Sequence, residues 1–265
     1  MNPGMSTVRV ERSGAVARIV LNRPDRHNAQ NPAMWAALRE TGAELSADPD
    51  VRAAVLTGEG PSFSSGLDLA ELQPGGFLHT VAAAPEATAL VRDAQAAFGW
   101  IRAAPFPVVA AVRGTAVGAG IQLALACDVR VVAEDATLAV AEVGLGAVPD
   151  LGATVDLPAL VGLERALDLI LTARRFGGTE AVSLGLALRA VPAAEVLAEA
   201  VAYAERLAAA PRAALSWAKR ATREPDPARS LDLAAQGQVE CVREMLSART
   251  MPRAASRSGR TAPRA

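Results

Sequence analysis

Residues 114–128 read GTAVGAGIQLALACD, with three glycines inside seven residues running straight into an apolar, alanine-rich stretch. The segment before them, PVVAAVR (107–113), has the length and apolar character of a buried strand. A strand, a glycine turn and a helix in that order leave the first backbone N–H groups of the helix without intrahelical partners. Such a junction attracts negative charge, permanent or transient. A nucleoside triphosphate does not suit it, because no Gly-Lys-Ser/Thr closes the turn. The dinucleotide fingerprint G-x-G-x-x-G is absent as well, and no acidic residue stands where that fold needs one. Close packing of helix on strand explains the glycines equally well.

A second junction has the same layout. The segment VRAAVLT (51–57) reads as a strand, and PSFSSGLDL (61–69) is a turn leading into a helix start. Two such junctions can each aim one backbone N–H at one oxygen. Two converging donors form an oxyanion hole, which stabilises the oxygen of an enolate or a tetrahedral species. The anion is then transient, with a thioester carbonyl as its parent.

Composition sets the frame. The 265 residues, 51% of them apolar, suffice to bury a large core. Net charge is −1, which gives no global field for nucleic acid or a membrane surface. The two cysteines, Cys127 and Cys241, form neither a disulfide framework nor a metal-binding spacing, so no metal is expected. The N-terminal MNPGMSTVRVERSG lacks a signal-peptide core, and prolines, glycines and Arg113 break the most apolar stretch, 103–127. The expected compartment is the cytoplasm.

The remaining pattern predicts strands at 7–12, 15–22, 128–133 and 137–140. It predicts helices near 32–47, 86–104, 119–126, 153–161, 163–172, 179–184, 193–209, 212–221 and 230–248. Residues 74–85, rich in Pro, Gly and Ala, read as a mobile loop, and no fixed-period repeat is visible. Early alternation followed by helices argues an α/β core with a helical C-terminal part.

In this order and spacing, LNRPDRHNAQN (21–31), SFSSGLDL (62–69), the long segment 107–154 and TARRFGGTEAVSLGLALRAV (172–191) carry a resemblance. The chain resembles the enoyl-CoA hydratase/isomerase (crotonase) family over residues 7–248. The resemblance implies repeated ββα units in a spiral core over residues 1–191, holding the CoA and oxyanion sites. It implies a C-terminal trimerisation region at 192–248, followed by a basic, disordered tail at 249–265. It also implies an acyl-CoA thioester substrate, no separate cofactor, and a homotrimer or hexamer.

By the same resemblance the oxyanion donors are the N–H groups of Leu67 and Ala119, framed by Gly66 and Gly118. Relatives often carry glycine at position 119, and alanine keeps the donor if its backbone angles suit a Cβ. Hydratases of the family use two glutamates. Here the first position is Gln122, which cannot ionise but could hold a water, and the second is Glu142. Asp150 stands where most hydratases have glycine and where some double-bond isomerases have aspartate. Its alternative role is a cap for the helix that follows. Proton shuttling by Glu142 and Asp150 therefore leads, with hydration by Glu142 second.

Arg26 and Ala29 fall in the segment expected to meet CoA, and Ser65, Asp68 and Leu69 flank the first donor. Asp68 is also a candidate helix cap. Relatives often end in a phenylalanine and lysine that cover the CoA, and the ending EMLSARTMPRAASRSGRTAPRA departs from that pattern. Two other classes remain open: a CoA-binding paralogue without chemistry, and RNA binding through the arginine tail. Five arginines without interleaved aromatics argue weakly for RNA, and no nucleic-acid partner is expected.

Overall fold

The structure, a computed structural model, describes residues 6–250; of the tail expected to be disordered (249–265), residues 249 and 250 fall at the end of the last helix and 251–265 lie outside the described residues. An antiparallel hairpin opens the fold: β1 (Val8–Ser13) and β2 (Val16–Leu21) turn at Gly14. Next come α1 (Pro32–Ala47), β3 (Ala53–Gly58), α2 (Phe77–Ala83), α3 (Ala87–Ala103) and β4 (Val108–Val112). The chain continues through β5 (Thr115–Val117), α4 (Ala119–Ala126), β6 (Val129–Ala133) and β7 (Thr137–Ala139). It then forms α5 (Ala153–Val161), α6 (Leu163–Thr172), α7 (Gly178–Ser183) and β8 (Arg189–Val191). Three helices complete it: α8 (Val196–Ala208), α9 (Arg212–Arg223) and α10 (Pro227–Thr250).

Six strands form one sheet in the order β1-β2-β3-β4-β6-β8, parallel from β2 onward. Strands β3 and β4 are buried at every residue, as expected of apolar strands covered on both faces. Helix α8 packs across β2, β3, β4 and β6. Strands β5 and β7 pair in a second, small sheet, which the isolated bridge Ser64–Ala116 extends. The repeat is therefore structural. Strands β3, β4 and β6 each add to the large sheet, and the segments after them (Ser64, β5 and β7) add to the small one. Sequence period does not reveal it, because the insertions between the units differ in length.

The two-strand start, α1, α3, α4, α5, α6 and the C-terminal helices form where the pattern places them. Three elements differ. Residues 74–85, expected as a loop, contain α2. Phe77 sets its ring edge-on to Trp35 with centroids 5.0 Å apart, and its N–H donates to Glu71 Oε2 at 2.9 Å. That anchor lets the alanines after it take their helical preference. Strands β5 and β8 span three residues each, too short for any period to show.

Two buried charged groups join helices to this frame. Lys219 of α9 reaches Asp128 at 2.8 Å and also donates to the carbonyls of Ile101 and Phe106. Arg130 donates to the carbonyls of Ala124, Leu125 and Cys127, which closes the C-terminal end of α4. Cys127 is a core residue, its thiol pushed up to about 12 by burial.

Candidate active site

The two glycine junctions lie side by side. Ser64 N donates to Thr115 O at 3.0 Å, and Val117 N donates to Ser64 O at 3.2 Å. A Cβ on Gly120 would fall 2.3 Å from Ser64 O, so only glycine lets α4 approach this closely. A Cβ on Gly66 would fall 2.7 Å from Val117 O and 3.6 Å from Ala119 N, which puts the first junction directly against the second donor. Gly118 takes φ 55° and ψ −124°, a conformation left to glycine, and turns the chain from β5 into α4.

The two donors are free. Gln30 N donates to Gly66 O at 2.7 Å and Asp68 N donates to Gln30 O at 2.8 Å. Such a parallel bridge leaves the intervening Leu67 N–H pointing away from Gln30. Ala119 is the first residue of α4, where no intrahelical acceptor exists. Among the described residues, neither N–H is taken by another group. Ala119 has no positive φ, so its Cβ costs nothing here.

Residues outside the expected set hold this geometry. Buried Gln30 donates from Nε2 to Ser64 Oγ and to Ala119 O, and Trp35 Nε1 donates to its Oε1. Asn28, fully buried at φ 53°, accepts from Arg23 N and donates to the carbonyls of Glu59 and Ser62. Both lie in LNRPDRHNAQN, the segment the resemblance assigns to CoA contact, in which Asn28 and Gln30 hold the loop instead. Two amides embedded in a polar loop before a helix are the available signal for such staples.

Glu142 reaches the same place from the small sheet. Gly118 N donates to Ala139 O at 3.0 Å, and three residues later Glu142 packs with Oε1 3.2 Å from where a Gly118 Cβ would stand. Gln122 Nε2 donates to Glu142 Oε1 at 2.7 Å. Glu142 Oε2 is buried and has no hydrogen-bond partner among the described residues. Burial, followed more weakly by the neighbouring Asp150, raises Glu142 above the ordinary glutamate range, against the Gln122 hydrogen bond. Gln122 Oε1 accepts from Leu151 N at 2.9 Å and Ala153 N at 3.2 Å. Its acceptor capacity is thus filled by the protein, which bears on the water-holding role considered for it.

Asp150 is raised by burial. It does not cap α5, whose N-cap is Gly152. Asp68 is a cap: its Oδ1 accepts from Ala70 N at 3.1 Å, and its Oδ2 pairs with Arg23 at 2.8 Å. Burial pushes Asp68 upward, but the Ala70 N–H and Arg23 hold it below the usual range. Ala29 and Gly66 are buried, whereas Arg26, Ser65 and Leu69 are exposed on the rim beside Leu67. Ser65 N donates to His27 O at 2.9 Å. Among the described residues no three His, Cys, Asp or Glu side chains cluster to hold a metal ion. No helix among them is long and apolar enough to cross a membrane.

The fold and the paired junctions define an α/β protein in which two unpaired backbone N–H groups lie near the Glu142 carboxyl. Residues 11–261 match the family model described as enoyl-CoA hydratase/isomerase, and the chain belongs to that family. A probable enoyl-CoA hydratase of Mycobacterium tuberculosis is 36% identical over 215 residues, covering 81% of this chain and 80% of that protein. The mitochondrial Delta(3,5)-Delta(2,4)-dienoyl-CoA isomerase of Rattus norvegicus is 38% identical over 192 residues, 70% of this chain and 58% of the isomerase. A Thermobifida fusca protein described as an enoyl-CoA hydratase and solved with CoA superimposes with a TM-score of 0.82. The two are 39% identical, and the match covers 91% of this chain and 95% of that one. The fold is the crotonase fold.

Proposed function

We propose that the chain binds an enoyl-CoA thioester and shifts its double bond by carboxylate proton transfer. The thioester oxygen sits between the N–H groups of Leu67 and Ala119, and the N-terminal end of α4 adds its dipole to the developing enolate. One carboxylate removes a proton from carbon and a proton returns at another carbon, so the double bond moves while the formula stays unchanged. The observation that carries this reading is the pair Glu142 and Asp150: both are raised by burial, and Glu142 keeps one buried oxygen without a partner. An acid raised toward the working pH exchanges protons more readily in both directions. Arg26, exposed and in no ion pair among the described residues, suits a CoA phosphate. A Thermobifida fusca structure solved with acetoacetyl-CoA, TM-score 0.81 and 39% identical, supports an acyl-CoA as ligand.

Hydration of a 2-enoyl-CoA by Glu142 is the second reading, favoured by the relatives named as hydratases. Against it stands Gln122, an amide where a second acid would be needed. Incubation with trans-3-hexenoyl-CoA in D₂O separates the two readings. Conversion to the 2-enoyl isomer supports isomerisation. Water addition to 2-hexenoyl-CoA without isomerisation supports hydration, and neither product sinks both for short chains.

The chain is also read as self-assembling. Leu163, Leu167 and Leu171 are exposed at helical spacing along α6, and Leu145, on the segment that packs against α6, is 82% exposed. A second copy covering these side chains would remove them from water.

A further inference from the structure

Asp150 sits in the turn between Glu142 and α5, and its carboxylate takes no hydrogen bond from another residue among the described ones. Its direction depends on the backbone that carries it. That backbone is held at a single peptide plane by two helices. Gln95 of α3 donates from Nε2 to Asp150 O at 2.8 Å. Gln122 of α4 accepts the N–H of Leu151 at 2.9 Å. Asp150 O and Leu151 N–H belong to the same trans peptide unit and point in opposite directions. Holding both ends of that unit fixes the tilt of the peptide plane and thereby restricts the Asp150 Cα–Cβ bond attached to it. Two turns along α3, Arg102 forms a bidentate pair with Asp156 of α5, so the segment just beyond is tied to the same helix.

We propose that Gln95 is a positioning residue that, with Gln122, clamps the Asp150–Leu151 peptide and so holds the Asp150 carboxyl in its half-buried setting. Among the described residues the Gln95 side chain donates only to the Asp150 carbonyl and to no carboxyl. It acts only through the Asp150 carbonyl. The functional consequence rests on the reading of Asp150 as a proton-transferring group. The clamp itself does not. Asp150 is kept half-buried, and the negative charge it carries is felt by Glu142 at the end of the small sheet. With the peptide free to rotate, the carboxyl reaches water and loses that environment.

The test is the titration of the Asp150 carboxyl in full-length protein carrying ¹³C-labelled aspartate, with the signal assigned by Asp150→Asn. Gln95 is exposed, so Gln95→Ala opens no core. The midpoint in the unmodified protein is expected above the ordinary aspartate range. It should fall toward that range in Gln95→Ala while the unfolding temperature stays nearly constant. With trans-3-hexenoyl-CoA, kcat should fall about tenfold or more at unchanged KM. An unchanged midpoint in Gln95→Ala overturns the clamp, whatever the activity. A shifted midpoint together with an Asp150→Asn enzyme as active as the parent keeps the clamp and overturns the proton-transfer reading instead.

Discussion

Gln122 Nε2 donates to Glu142 Oε1 at 2.7 Å while Gln122 Oε1 is occupied by the N–H groups of Leu151 and Ala153. The two backbone donors decide which end of the amide faces Glu142. A carboxylate at position 122 would keep those donors but set oxygen against oxygen. Gln122→Glu therefore forces the pair to share a proton, which raises one of the two acids strongly. A raised folded-state acid holds a proton that the unfolded chain releases, so its stability contribution is lost as pH rises. Thermal unfolding should place Gln122→Glu below the parent at pH 7, with the gap closing on acidification.

Glu142 obeys the same sign by itself. Burial raises it from 4.5, so native stability falls with rising pH above that value. Glu142→Gln removes the effect. Its unfolding temperature should gain on the parent as pH climbs through the carboxylate range and match it below about 4.5. The same variant should lose about 10²- to 10⁴-fold in kcat for the double-bond shift. A stability gap independent of pH would contradict a buried, raised carboxyl.

Gly118 turns β5 into α4 in a conformation a side chain disfavours, with the Glu142 carboxylate 3.2 Å from the site of a Cβ. Gly118→Ala should cost about 1–3 kcal/mol in urea unfolding. It should also lower kcat, because the Ala119 donor and Glu142 shift together. Normal turnover in a destabilised variant would separate the turn from the chemistry.

Arg23 pairs with buried Asp68 and donates to Ala29 O at 2.6 Å. Arg23→Ala leaves the carboxylate desolvated, so a loss of about 3 kcal/mol is expected at pH 7. Here the sign reverses. Asp68 is lowered, and its contribution is present above the unfolded value of 3.8 and fades as pH falls through the folded one. The penalty measured by urea titration should shrink in acid.

Leu163, Leu167 and Leu171 lie exposed along α6. Light scattering of the unmodified protein should report a trimer or hexamer, and replacing all three by glutamate should yield monomers. A parent chain that is already monomeric removes the assembly reading.

Much of the fold could be read before any coordinates. Apolar runs such as VVAAV and AAVLT marked β4 and β3, and Pro32 marked the start of α1; that Asn31 caps it by accepting from Met34 N is seen only in the structure. Asp68 could be recognised as a cap from its place before a helix start. Strands β5 and β8 could not, since three residues carry no period. Neither could α2, which depends on Phe77 meeting Trp35 from α1.

The sequence by itself determined which residue types were available: glycines at two junctions, one glutamate, one aspartate, and an amide at position 122. Local chemistry sufficed for that, because glycine's tolerance of positive φ and glutamine's inability to ionise are properties of single residues. Only the tertiary structure decided what these residues do to one another. Residues 66 and 119 meet because Ser64 bridges to β5. Glu142 meets Gln122 because β5 and β7 pair and Gly118 bonds to Ala139. The raised acids follow from that assembly, since desolvation is a property of the surrounding packing and not of the residue that titrates.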